Sequence, residues 1–145
     1  MRVAHEPQLL ILCPLAREWS FLLNTFEASR RVEHLHDLKI KAAYIPDWRA
    51  LLRQGGHGKT QFAVQAQYLI GQFPSVELVI CAGAAGSLAP GLSVGDGVVG
   101  TETVEHDFRL LFATRPLPRF PGHGPSIDAL RGLAHGVSSF HVVFV

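Results

Sequence analysis

Charge is scarce in this chain. Asp, Glu, Lys and Arg make up 17% of its 145 residues, and the formal net charge is +1. The basic residues are scattered, so the electrostatic footprint of a nucleic-acid binder is missing and no nucleic acid is expected as a partner. Long hydrophobic runs are missing too. No stretch reaches the roughly 18 apolar residues that span a bilayer, and the N-terminal segment lacks the apolar centre of a secretory signal. These absences predict no membrane partner and a cytoplasmic location. Cysteine is scarce: Cys13 and Cys81 lie inside apolar runs and read as two buried free thiols, not as a disulfide framework. The eight histidines form no metal-binding pattern. His34 and His36 share one strand face, but no third ligand stands at a suggestive spacing, so no metal or other cofactor is expected.

What is present is apolar, at 48% of the residues. The length is that of one domain with a real core, and residues 1–145 are expected to form it. The most informative stretch runs from Leu78 to Gly100. It opens as a short apolar strand at about 77–82 and breaks into Gly83, Ala84, Ala85 and Gly86, where the main chain can be approached closely. After Pro90 and Gly91, a tight turn at Val94, Gly95 and Asp96 leads into a second strand at about 95–104. A strand opening into a small-residue loop is where α/β proteins bind ligands.

Upstream, residues 8–13 read as a central strand. Pro14 then stands at a first-turn position, and Trp19, Leu22, Leu23 and Phe26 recur at helical spacing to about residue 29. Two short strands are expected within 32–45, a turn at Pro46 and Asp47, and a strand at 48–52. A helix from Thr60 to about Gly71 turns Phe62, Ala63, Ala66, Leu69 and Ile70 to one side. Prolines and glycines mark 109–124 as a long surface loop. Ser126 is placed to cap a helix reaching about Ala134, and 140–145 read as a final apolar strand. An uncovered last strand favours association, and a homo-oligomer is expected.

Three segments carry residues suited to a site. The turn Gly55, Gly56, His57, Gly58, Lys59 fails the phosphate-loop pattern, because Arg53 occupies the first glycine position, and it fails the dinucleotide pattern at Gln61. It remains a glycine-rich entry to a helix N-terminus, suited to an anion or a polar ligand edge. Glu18 is the best-placed carboxylate, just after the first strand, where it suits general acid/base work. His106 and Asp107 follow the central stretch and are candidates for a ligand hydrogen bond. No serine elbow or Cys–His pair is visible.

Taken in order, these segments resemble the purine/uridine phosphorylase superfamily, and within it the methylthioadenosine/S-adenosylhomocysteine nucleosidase branch. The resemblance rests on residues 11–18 ending in Glu18, on Gly56 to Lys59, on residues 81–90 with Val94, Gly95 and Asp96, and on His106 with Asp107. It implies an α/β fold with a mixed, twisted sheet and helices on both faces. It also implies an enzyme cleaving the N-glycosidic bond of a purine nucleoside, by hydrolysis or by glycosyl transfer to phosphate as co-substrate, and a small-molecule nucleoside as partner. By it, Glu18 activates the attacking water. Gly83, Ala84, Ala85 and Gly86 lie against ribose and base, and His57 and His106 fall near the substrate by position. Two departures stand out. The arginine before the loop and the hydroxyl within it that hold phosphate in phosphorylases are replaced by Val79 to Ala82 and by Ala84, which favours water over phosphate unless Arg17 or Arg53 supplies the charge. The chain also matches only about the first 60% of a family member, so the C-terminal part, with the leaving-group acid, has no counterpart. A weak or inactive enzyme is therefore expected, the alternative being a non-catalytic ligand-binding or oligomer-assembly module.

Overall fold

The computed structural model describes residues 5–36, 41–88, 90–108, 114–134 and 142–144. The chain forms two compact units, Met1–Gly86 and Ser87–Val145. In the first, β1 (Leu9–Cys13) lies between β4 (Ala50–Gln54) and β5 (Leu78–Cys81), parallel to both. Beyond β4, β3 (Ala42–Ile45) and β2 (Glu33–Leu35) continue the sheet antiparallel, giving the order β2-β3-β4-β1-β5. This is the mixed α/β sheet expected from the sequence.

The alternation of side chains along β1 sends its apolar residues to two faces, and a helix covers each. Ile11 and Cys13 pack with Leu23 and Phe26 of α1 (Ala16–Glu27), while Leu10 and Leu12 pack with Leu69 of α2 (Gly58–Gln72). Leu10, Leu12, Leu51, Leu52 and Leu69 are wholly buried. Each leucine buried this way contributes about 1.5–3 kcal/mol, whereas an exposed ion pair such as Arg31 with Glu33 is screened by water and contributes little. The unit is therefore held by its apolar layers.

Several elements differ in detail from the expectation. Pro14 precedes α1 by two residues, because Leu15 serves as the N-cap. Pro46–Trp48 is a 3-10 turn that closes on Arg49 at φ 47°, so β4 begins at Ala50. Ala63 lies exposed, off the buried side of α2. Cys13 is buried as expected, but Cys81 is exposed, as are Val79 and Ile80, because β5 is the edge of its sheet. Both thiols are free.

In the second unit, β6 (Gly97–Val99) pairs in parallel with β9 (Val142–Phe144), and β7 (Glu102–Val104) pairs antiparallel with β8 (Arg119–Pro121). The single strand expected at 95–104 is divided at Gly100 and Thr101. The loop expected over 109–124 contains β8, and its residues 109–113 lie outside the described residues. The turn before β6 forms as expected: Gly95 has φ 104°, and the Asp96 carboxylate accepts from the Ser93 N–H at 2.8 Å. The last helix, α3 (Gly124–Ala134), starts ahead of Ser126, whose hydroxyl bonds His123 Nδ1 at 2.8 Å from inside the first turn instead of capping it. No helix among the described residues is long and apolar enough to cross a membrane.

Candidate functional site

The carbonyls at the end of β1 hold a loop on either side. Leu12 accepts from the Ala82 N–H at 2.9 Å, and Cys13 accepts from the Gly55 N–H at 2.7 Å. The first contact carries the pairing with β5 one residue onward and launches the loop containing Gly83 to Gly86 directly over the start of α1. Glu18, the third residue of that helix, meets it there.

Both oxygens of the Glu18 carboxylate are engaged. Oε2 accepts from the Leu15 N–H at 2.9 Å, and Oε1 accepts from the Ala84 N–H at 2.8 Å. The Leu15 contact is the reciprocal arm of a capping box, with leucine supplying no acceptor in return. Ala84 lies 66 residues from Glu18 in the chain, so the second contact joins helix and loop. Glycine at 83 is what allows it. A β-carbon there would stand 2.9 Å from Oε1, closer than real β-carbons come, and a tight 3.1 Å from Oε2 and Cδ.

A cleft of about 500 Å³ opens beside this carboxylate, lined by Cys13, Leu15, Arg17, Glu18, Phe21, Leu22, Thr25 and Ala82 to Ala84. Its walls are almost wholly apolar, and Glu18 is the one carboxylate on them among the described residues. The volume falls within the roughly 300–1,000 Å³ usual for small-molecule sites. Burial, reinforced by the Glu18 charge and by Cys81, pushes the Cys13 thiol up to about 11, which keeps it neutral on the cleft floor at physiological pH.

Of the residues named from the sequence, Glu18, Gly83 and Ala84 come together. Ala85 and Gly86 continue the same loop, exposed. His57 is the N-cap of α2 and is not among the residues lining the cleft; its N–H donates to Gln61 Oε1 at 2.9 Å. His106 follows β7 in the second unit, where its N–H donates to the Val104 carbonyl. The sequence reading missed Phe21 and Thr25. They follow Glu18 at helical spacing of three and seven, a stripe beside the core stripe of Trp19, Leu23 and Phe26. That offset is the signal that marks them.

A family model described as the phosphorylase superfamily matches residues 8–139. The chain belongs to the phosphorylase superfamily. Its curated relatives include a 5'-methylthioadenosine/S-adenosylhomocysteine nucleosidase of Mycobacterium bovis, 28% identical over 127 residues, which are 88% of this chain and 49% of that protein. The nucleosidase of the same name from Actinobacillus succinogenes is 36% identical over 91 residues, covering 61% of this chain and 39% of the relative. Among solved structures, the Neisseria meningitidis 5'-methylthioadenosine/S-adenosylhomocysteine nucleosidase, in complex with methylthio-immucillin-A, superposes with a TM-score of 0.73 at 28% identity. That match covers 94% of this chain and 62% of that one. The futalosine hydrolase of Helicobacter pylori shares the fold, with a TM-score of 0.74 at 20% identity over 97% of this chain and 65% of its own. The chain spans about half the length of the curated relatives it matches over most of its own length.

Proposed function

We propose that this member of the phosphorylase superfamily carries the water-activating part of a purine nucleosidase site. Its ligand would be a purine nucleoside such as 5'-methylthioadenosine. The observation that carries this reading is the Glu18 carboxylate, fixed by two backbone N–H groups at the edge of an apolar cleft. Each carboxylate oxygen keeps acceptor capacity after one hydrogen bond. Glu18 is therefore able to take the proton of a water whose oxygen attacks the anomeric carbon, while the carbon–nitrogen bond breaks and its electron pair leaves with the base. The same negative charge stabilises the oxocarbenium-like sugar. Leu15, Phe21 and Leu22 supply an apolar wall for the base or for a 5' substituent.

Glycoside-cleaving sites of this general kind work with a pair of carboxyl groups, and this cleft offers one. A missing leaving-group acid costs about 10²–10⁴-fold, so the isolated chain turns over slowly. Arg17 on the cleft wall is the one observation favouring phosphate as acceptor, because it supplies charge in place of the hydroxyl absent at Ala84.

Base release from a panel of purine nucleosides, with and without phosphate, tests the reading. Slow, phosphate-independent release that Glu18→Gln abolishes is the expected result. Release only in phosphate would replace hydrolysis by phosphorolysis through Arg17. No release from a folded sample would overturn catalysis by this chain, and turnover matching a full-length relative would overturn the assigned handicap.

A further inference from the structure

A second hollow, of about 240 Å³, is lined by Trp19, Lys41, Arg53 and Gln54 and shares no lining residue with the Glu18 cleft. Arg53 and Gln54 are the last residues of β4, so the hollow lies outside the carboxyl end of a sheet strand, where α/β folds collect ligands. Arg53 is anchored by neutral groups. Its Nε donates to the Lys41 carbonyl at 3.3 Å, and its Nη1 donates to Gln65 Oε1 on α2. These contacts fix the guanidinium plane and leave the Nη2 donors of the fork without a protein partner among the described residues. Neither Arg53 nor Lys41 pairs with a carboxylate among the described residues.

We propose that this hollow binds a small oxyanion of the phosphate kind, between Arg53 and Lys41, with the Gln54 amide as a further donor and the Trp19 ring as a wall. Burial holds the Arg53 guanidinium below its ordinary range. A cation stripped of part of its water, with no carboxylate paired to it among the described residues, gains most from an arriving anion. The volume lies below the roughly 300 Å³ at which nucleoside-sized sites begin, which suits a phosphoryl group and excludes a whole nucleoside. Because the hollow is distinct from the Glu18 cleft, an anion held there is a bystander to glycosidic cleavage, and this assignment does not depend on that reading.

The chain has two tryptophans, so the indole N–H signal of Trp19 is a resolved reporter and that of Trp48 an internal control. A nitrogen–proton correlation titration of the full chain with inorganic phosphate is expected to move the Trp19 indole and the Gln54 side-chain amide saturably. Chloride at matched ionic strength is expected to leave them in place. Arg53→Gln should weaken phosphate binding about ten- to a hundredfold, the worth of one or two charge-assisted hydrogen bonds. Arg53→Lys keeps the charge and should retain part of the affinity, with unchanged Trp48 signals reporting intact folding in both variants. A parallel titration with ribose 5-phosphate identifies the source: tighter binding assigns a phosphorylated metabolite, and equal or weaker binding assigns free phosphate. A response equal to that of chloride, or one that survives both Arg53→Gln and Lys41→Gln, would overturn the site.

Discussion

Two glycine-containing loops leave the sheet on either side of β1, and they use their glycines for different ends. At Gly83 the missing side chain makes room for a carboxylate, with Glu18 Oε1 standing 2.9 Å from where a β-carbon would be. At Gly55 it makes room for packing, because a β-carbon would meet the Phe62 ring at 2.5 Å and Leu12 Cβ at 3.3 Å. The first loop gives its Ala84 N–H to Glu18, a group that also faces the cleft. The second closes on itself, the Gln61 side chain accepting from the His57 N–H. The second loop resembles a phosphate-binding turn in sequence, yet the apolar cleft and its carboxylate lie at the first. Where a loop's glycine is used decides what the loop does.

Substitution at each glycine separates the two roles. Gly83→Ala must push the Glu18 carboxylate aside, and a displacement of about 1 Å at a reacting group costs on the order of a hundredfold. Base release, or nucleoside affinity where turnover is too slow to follow, should fall by that factor while the melting temperature changes little. Gly55→Ala should do the reverse. Forcing the Phe62 ring from its seat is an overpacking of the α2 layer worth about 1–3 kcal/mol, read as a lower denaturant midpoint with the Glu18 cleft still competent. Equal effects of the two substitutions on both readouts would dissolve the distinction.

Gln61→Ala removes the acceptor of the His57 N–H at the start of α2. The group is exposed and water replaces part of the bond, so a loss of about 0.5–1 kcal/mol is expected in chemical denaturation. The last effect is confined to alkaline pH and is a slope, not a step. The Cys13 thiol titrates near 11 in the folded chain against 9.0 when unfolded. Between those values the unfolded chain has lost a proton that the folded one keeps, so stability is fully present below about pH 9 and declines as the pH rises towards 11. Cys13→Ala should flatten that decline, measured as the difference between the two pH profiles.

The layered core was legible because its signals are local. The run from Leu9 to Cys13 and the helical recurrence of Trp19, Leu22, Leu23 and Phe26 announce a buried strand followed by a covering helix. Glu18 and the small-residue loop were legible one at a time, from position and from resemblance. Their contact was not, because it joins residues 66 apart through a single hydrogen bond. Strand β8 was hidden by Pro118 and Pro121. Its pairing with β7 is only three residues long, and prolines are tolerated at such strand ends. The exposure of Cys81 was hidden too, since an apolar run at a sheet edge has the same composition as one at the centre. Arg53 stood out in sequence as the residue that breaks the phosphate-loop pattern and as a cation able to meet phosphate; its neutral anchoring by Gln65 and the Lys41 carbonyl was not legible, because it joins separate elements.

The central claim is that the Leu15 and Ala84 amides, through Glu18, form one unit facing a nucleoside. The most direct measurement is a nitrogen–proton correlation titration of the chain with 5'-methylthioadenosine, following those two amides. The account predicts saturable shifts that are largest at Leu15, Ala84 and their neighbours, and that Glu18→Gln removes. Saturable binding that leaves both amides unmoved, shifts indifferent to Glu18→Gln, or no binding at millimolar ligand would contradict it.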